Sequence, residues 1–320
     1  MERASASRFT DVTKSNVPKG MPAISIVVTP GKRSTILELA VEAERRGFSG
    51  LACPSLGATL GLCVSLAHVT HSIRYWTSIQ PIYYSHPVET GNTAAHIHEI
   101  SGGRFALGLG VSHGPVVQRL GVETGKPLTD IRNYVAAMRA NERFSGELPS
   151  IYLAALRDKM LNLACEIAQG AIWANASRRH MSSQLSLIPT SQRSDFFVAN
   201  MVPTIVSEDR EAALRVHRKT LTGYLSLPNY RNYWRAAGYE SEMTAIEDVL
   251  ASTPKEQLAE RLMATMSDTW LNDCTVSGSA DQVRDQFESW TESGVTPIAV
   301  MSSTSGGQAK AIQELFDAYA

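Results

Sequence analysis

The sequence predicts a (β/α)₈ barrel, an α/β fold, with a helical insertion before the last strand. Two observations carry the prediction, and a third favours closure. Eight short apolar stretches recur along the chain, each followed by a segment of helical periodicity. A length of 320 residues with 43% hydrophobic side chains suits one large barrel core. The strand count and a closing helix after the eighth stretch favour a barrel over an open parallel sheet.

The elements follow in order. Ile24–Val28 is a β-branched first strand ended by Thr29-Pro-Gly31. Thr35 and Glu38 have capping-box spacing, which starts a helix that stops at Gly47. Gly50–Cys53 is the second strand and Leu60–Thr70 the second helix. Arg74–Ile82, rich in aromatic and β-branched residues, is the third strand; a helix from His86-Pro87 to Glu99 follows. Ser101-Gly-Gly103 breaks that helix, and Arg104–Leu109 forms strand four, ended by Gly108 and Gly110 and followed by a loop, Val111–Gly114. Leu128–Asn141 is an amphipathic helix, Ser150–Ala154 strand five, and Asp158–Ala168 a helix. Gly170–Ala174 is strand six, His180–Leu187 a short helix, and Phe196–Val202 strand seven. The segment from Glu208 to about Leu271, within an insertion spanning about 208–275, is mostly helical and holds Tyr224, Tyr230, Tyr233, Trp234 and Tyr239. Ser279 opens a helix to Ser293, Thr296–Met301 is the eighth strand, and Gln308–Tyr319 closes the chain.

A formal net charge of −1 gives no electrostatic footprint for nucleic acid or an acidic membrane. No run approaches the roughly 18 apolar residues of a membrane span. Residues 1–20 are polar, lack an apolar signal region and read as a loose arm; residues 21–320 read as one domain. Cys53, Cys63, Cys165 and Cys274 form no C-x-x-C pair, which points to reduced thiols and a cytoplasmic protein.

In a barrel, chemistry sits at the C-terminal strand ends. Here those ends offer Thr29, Cys53, Ser55, Ser78–Pro81, Gly110–His113, Ala154, Asn175–Arg178, Asn200 and Ser302. The set lacks the acid pair of glycoside chemistry and a Schiff-base lysine. His96, His98 and Glu99 fall in a helix before strand four, where residues two apart do not share a face, so no metal site is expected. Hydroxyls, amides and backbone groups suit a neutral conjugated ring that carries the reaction itself. The glycine-rich loop after strand four has three readings. A dinucleotide fingerprint would need a third glycine where His113 stands. Glycines serving only strand packing are a second reading. The third is a resemblance.

Ser101-Gly-Gly-Arg-Phe-Ala-Leu-Gly-Leu-Gly-Val-Ser-His113 resembles the strand-four signature of the bacterial luciferase-like family, in the branch assigned to coenzyme F420. Ala43-Glu-Arg-Arg-Gly-Phe48, Pro81-Ile-Tyr-Tyr-Ser-His-Pro87, Gly121-Val-Glu123 before Lys126-Pro-Leu128, and Arg132–Arg139 fall in the family's order. The likeness is firm over Ile24–Arg139, weaker over Ile151–Met201 and thin beyond. It implies a ring lying across the barrel mouth with Ser78, Ile79, Gln80 and Pro81 packed behind it. A non-proline cis peptide is implied there, placed at Ser78–Ile79. Gly110, Val111, Ser112 and His113 would meet the ring edge or the tail. Asn175, Ala176, Ser177 and Arg178 would meet the phosphate-bearing tail, with Arg178 and Arg179 chemically suited to a phosphodiester; a solvated basic pair is the competing reading. The chain departs from the family in three places. Cys53-Pro-Ser-Leu56 replaces the acid or histidine often found after strand two, Ser85 replaces an arginine, and Gln169 an aspartate. With the usual acid gone, His113 is the candidate catalytic proton donor, or else only a hydrogen-bonding cofactor contact.

The resemblance implies an F420-dependent oxidoreductase, a homodimer acting on a small unsaturated molecule through its C=C, C=N or C=O bond. The alternatives are an FMN-dependent monooxygenase on the same barrel, and a non-catalytic barrel that binds a flavin or a partner. The aromatic segment Tyr224–Tyr239 either roofs the pocket, forms a subunit contact or packs the insertion.

Overall fold

The computed structural model describes residues 21–320, and the expected N-terminal arm lies outside the described residues. Ten strands form one all-parallel sheet: β1 (Ala23–Ser25), β2 (Leu51–Cys53), β3 (Tyr75–Thr77), β4 (Gln80–Pro81), β5 (Phe105–Gly110), β6 (Ile151–Ala154), β7 (Gly170–Ala174), β8 (Phe197–Val206), β9 (Val276–Gly278) and β10 (Thr296–Met301). Pairing runs β10-β1-β2-β3-β5-β6-β7-β8, and β10 returns to β8 over Ala199–Thr204, closing an eight-stave barrel. β9 pairs only with the far end of β8, from Thr204 to Val206.

One residue from each stave meets on the barrel axis: Ala23, Ala52, Trp76, Ala106, Tyr152, Ile172, Ala199 and Ile298. The four alanines leave the space that Trp76 and Tyr152 fill. Phe197 completes this layer, stacked on Tyr152 at 4.5 Å and edge-on to Trp76 at 5.1 Å. The opposite strand faces, including Ile24, Leu51, Tyr75, Leu107 and Leu153, pack outward on the helices in a separate, larger core.

Several sequence expectations are corrected. The third strand is not continuous. Trp76 faces Ala106 and Gln80 faces Leu109, so four steps on one strand match three on the other. That mismatch is a one-residue bulge at Ser78-Ile79, and the Ser78–Ile79 peptide is cis, as the resemblance implies. The first helix begins at Arg33 without a side-chain cap, so the Thr35–Glu38 pair lies inside it. The capping box that does form is Ser279 with Gln282, ahead of the helix Ala280–Glu292. Gly114 is not loop but opens a short helix, Gly114–Leu120. The helix after β7 starts at Arg178, earlier than His180. β8 runs four residues beyond the expected Val202, and β9 has no counterpart in the sequence reading.

Arg104 of the Ser-Gly-Gly-Arg motif has a structural task. Its guanidinium donates to the carbonyls of Ser101, Ala67, Thr70 and Ile73 and to Thr70 Oγ1, at 2.8–3.2 Å. It thereby closes the C-terminus of the helix Thr59–Val69 and fixes the turn into β3.

Candidate active site

The mouth at the C-terminal strand ends has an apolar floor. Ile79, Ala154, Ala174, Met201 and Val300 are half-buried there, as is Val27 just past β1. Four of them, Ala154, Ala174, Met201 and Val300, stand two residues beyond an axis residue of the same strand and so point the same way. None of these six carries a charge.

The bulge behind this floor is built by close approach. A Cβ on Gly108 would lie 1.9 Å from the Thr77 carbonyl oxygen. A Cβ on Gly110 would lie 2.7 Å from Ile79 and 3.0 Å from Ala154. Both glycines are therefore required by the close approach of neighbouring chain. Thr77 Oγ1 donates to the Gly108 carbonyl at 2.7 Å, and Ser78 N donates to the Cys53 carbonyl at 2.9 Å. The Ser78 hydroxyl, in contrast, is buried with no hydrogen-bond partner in the protein.

Two loops flank the floor, Val111–His113 after β5 and Asn175–Ser177 after β7. Among the described residues only Ser112 and Asn175 have a positive φ without being glycine, at 63° and 55°. One therefore sits on each loop. Such conformations concentrate at functional sites.

The helical segment after β8 packs on both loops. It comprises Arg210–Leu225, Pro228–Ala236, Glu240–Ser252, Lys255–Thr265 and Asp268–Cys274. The His113 ring lies 5.8 Å from the Tyr230 ring and 6.3 Å from Tyr224. Burial there pushes the imidazole pKa below its ordinary value, so the neutral form predominates near pH 7. Burial also drives the Tyr230 phenol far above the usual tyrosine range. Trp234 Nε1 donates to the Asn175 carbonyl at 3.1 Å, and Ser177 N donates to Tyr233 Oη at 3.1 Å. The aromatic segment thus packs against the two loops.

Sequence reasoning missed Asp273, whose side chain is 6% exposed. Its carboxylate accepts the Ser177 hydroxyl, Arg179 N at 3.1 Å and Tyr239 Oη at 2.8 Å. The Arg179 guanidinium lies over the Tyr239 ring, donates to Tyr239 Oη and pairs with Asp273 at 3.5 Å. Arg178 is exposed and forms no ion pair among the described residues. No motif or spacing marks Asp273; the signal is purely tertiary.

At the end of β2, Cys53 is buried beside Cys63, whose thiol burial raises well above its ordinary pKa, the neighbouring Cys53 adding to the effect. All four cysteines are free. Among the described residues, no group of three or more His, Cys, Asp or Glu could hold a metal ion. No described helix is long and apolar enough to cross a membrane.

The family model described as luciferase-like monooxygenase matches residues 24–297. The 5,10-methylenetetrahydromethanopterin reductase of Archaeoglobus fulgidus is 24% identical over 276 residues, covering 78% of this chain and 82% of that protein. A putative coenzyme F420-dependent oxidoreductase of Mycobacterium tuberculosis is 24% identical over 295 residues, covering 77% of this chain and 82% of its own length. The solved structure of coenzyme F420 dependent tetrahydromethanopterin reductase from Methanopyrus kandleri shares the fold with a TM-score of 0.73 at 18% identity, covering 94% of this chain and all of that one. With most of its length matched by the family model, the chain belongs to the luciferase-like monooxygenase family.

Proposed function

We propose that this chain is a coenzyme F420-dependent oxidoreductase acting on a small organic molecule at a C=C, C=N or C=O bond. The observation that carries this reading is the uncharged floor flanked by the two loops that hold Ser112 and Asn175 at positive φ. The name of the Mycobacterium tuberculosis relative, a putative coenzyme F420-dependent oxidoreductase, supports the choice of cofactor.

The residues present fit a tricyclic ring. Ile79 and the small side chains Ala154 and Ala174 give it an apolar bed, and the unpartnered Ser78 hydroxyl gives it a buried donor. Gln80 and Pro81 hold the bulge against β5. The backbone of Gly110–His113 meets one edge. Of Asn175, Ala176, Ser177 and Arg178, the first three are buried and shape the loop, and Arg178 is the exposed one left to meet the tail. When bound, the reduced deazaflavin supplies a hydride from its C5. His113 is the candidate for the accompanying proton. Its half-buried imidazole delivers the proton from the protonated form, the minority species because burial lowers its pKa, and takes a new proton from water. Tyr224 and Tyr230, packed on His113, keep bulk water from its covered side.

Titrating the purified protein with F420 and with FMN, read by ring absorbance, tests the reading. The expected result is at least about tenfold preference for F420, or about 1.4 kcal/mol. Reduced F420 should be consumed anaerobically only when an unsaturated substrate is present. Tight FMN binding with oxygen-dependent product would assign a monooxygenase instead. Binding of neither would assign a non-catalytic barrel.

A further inference from the structure

The N-terminus of the helix Arg178–Ser186 is where a ligand anion would be met by backbone N–H groups and the Ser177 hydroxyl. In this chain that corner already holds an anion of its own. The Asp273 carboxylate comes from the last helix of the insertion and takes the Ser177 hydroxyl and the Arg179 N–H directly. Tyr239 Oη donates to the same carboxylate, and the Arg179 guanidinium closes the outer side. One oxygen, Oδ1, serves the Arg179 backbone; the other, Oδ2, serves Ser177 and Tyr239. The donors that a cofactor phosphate would need here are therefore committed.

We infer that Asp273 is a positioning residue for the loop Asn175–Ser177, acting as a built-in anion, and that Arg178 alone of this corner is left to meet the cofactor's phosphate. The inference rests on the F420 reading for its ligand but not for its geometry. Trp234 fixes the Asn175 carbonyl and Tyr233 the Ser177 N–H, so, counting Asp273, the insertion grips the loop by three hydrogen bonds, one at Asn175 and two at Ser177. Asn175 holds its left-handed backbone at the first of these grips. Removing the carboxylate leaves a Ser177 hydroxyl, a backbone N–H and a phenol without their shared acceptor, which is costly for buried groups.

The test compares Asp273→Ala with the wild-type full chain by amide hydrogen exchange over 175–180 and by F420 titration. Exchange over that loop should become about tenfold faster and F420 binding about tenfold weaker, while exchange in the helix Thr59–Val69 is unchanged. Added acetate should restore both readings in the variant, because it refills the vacated corner, and should alter neither in the wild type. Unchanged loop exchange overturns the inference. So does a loss that spreads to Thr59–Val69 and resists acetate, since that is general destabilisation. If Asp273→Ala does not fold, Tyr239→Phe removes one donor while keeping the ring, and the same local rise in exchange is required of it. Arg178→Ala should weaken F420 about tenfold with loop exchange unchanged; unaltered affinity would overturn the assignment of Arg178. Should the wild type not bind F420, the functional reading fails, and the exchange measurement with acetate rescue still decides the role of Asp273.

Discussion

Replacing Gly108 with alanine puts a methyl group where the Thr77 carbonyl already is. The new Cβ would lie 1.9 Å from that oxygen and 3.4 Å from Ile172 Cδ1. Against an unstrained contact of ~3.5 Å, about 1.5 Å of separation is missing. The obstacle is main chain, so no rotamer change relieves it, and β3 must lift from β5. Lifting stretches the Thr77 Oγ1 bond to the Gly108 carbonyl and the Ser78 N bond to the Cys53 carbonyl, 2.7 and 2.9 Å in the wild type. Overpacking costs about 1–3 kcal/mol and each weakened hydrogen bond about 1 kcal/mol, which together make about 3–5 kcal/mol. For a chain of this size that lowers Tm by about 4–8 °C in calorimetry. F420 affinity should fall too, because Ser78 and Ile79 shift with the bulge. Gly91→Ala is the control. It lies in the helix Pro87–Ile100, where the nearest atom to a new Cβ is 3.8 Å away, so Tm should hold or rise slightly. A Gly108→Ala protein melting within about 1 °C of wild type would refute the close-packing account of the glycine motif.

Three further outcomes are expected. Arg104→Lys keeps the charge but loses the planar fork, and urea unfolding should show a loss of about 2–4 kcal/mol; an unchanged midpoint would deny Arg104 its task at the turn. His217 is buried neutral against the Val276 carbonyl, with burial lowering its pKa from 6.5 to about 4. Its contribution to stability is complete above pH 6.5 and is lost as pH falls toward 4, by about 3 kcal/mol, so a His217→Met protein should show a flatter stability profile across that window. His113→Ala should lower turnover more than F420 affinity if the imidazole supplies the proton. Lost affinity with turnover intact at saturating F420 would make it a binding contact only.

The barrel was legible because its staves are short, apolar and regularly punctuated, and each needs only local pattern to be found. The loops at 111–113 and 175–177 were legible through glycine and the family motif. The rest depends on distant partners. The Thr35–Glu38 pair has the spacing of a cap, yet the helix starts at Arg33 because Gly31 and Lys32 already turn the chain. The break at Ser78-Ile79 is a matter of register with β5, to which composition is blind; the resemblance alone pointed to it. Asp273 sits in a seven-residue helix, and its three donors lie 34 to 96 positions away. No window of sequence contains that arrangement.

β8 pairs with β10 only up to Thr204, and with β9 from Thr204 to Val206. The barrel is thus closed before the chain departs into the residues between β8 and β9, and that excursion returns beside its own point of departure. It is a cassette in the topological sense: its length and sequence can vary without disturbing closure. Its freedom is limited elsewhere, by His113, Asn175 and Ser177, whose partners it supplies. A chimera exchanging residues 207–275 alone would keep a closed barrel and lose the fit of both loops. The cassette and the two loops form one packing unit, scattered in sequence and contiguous in space.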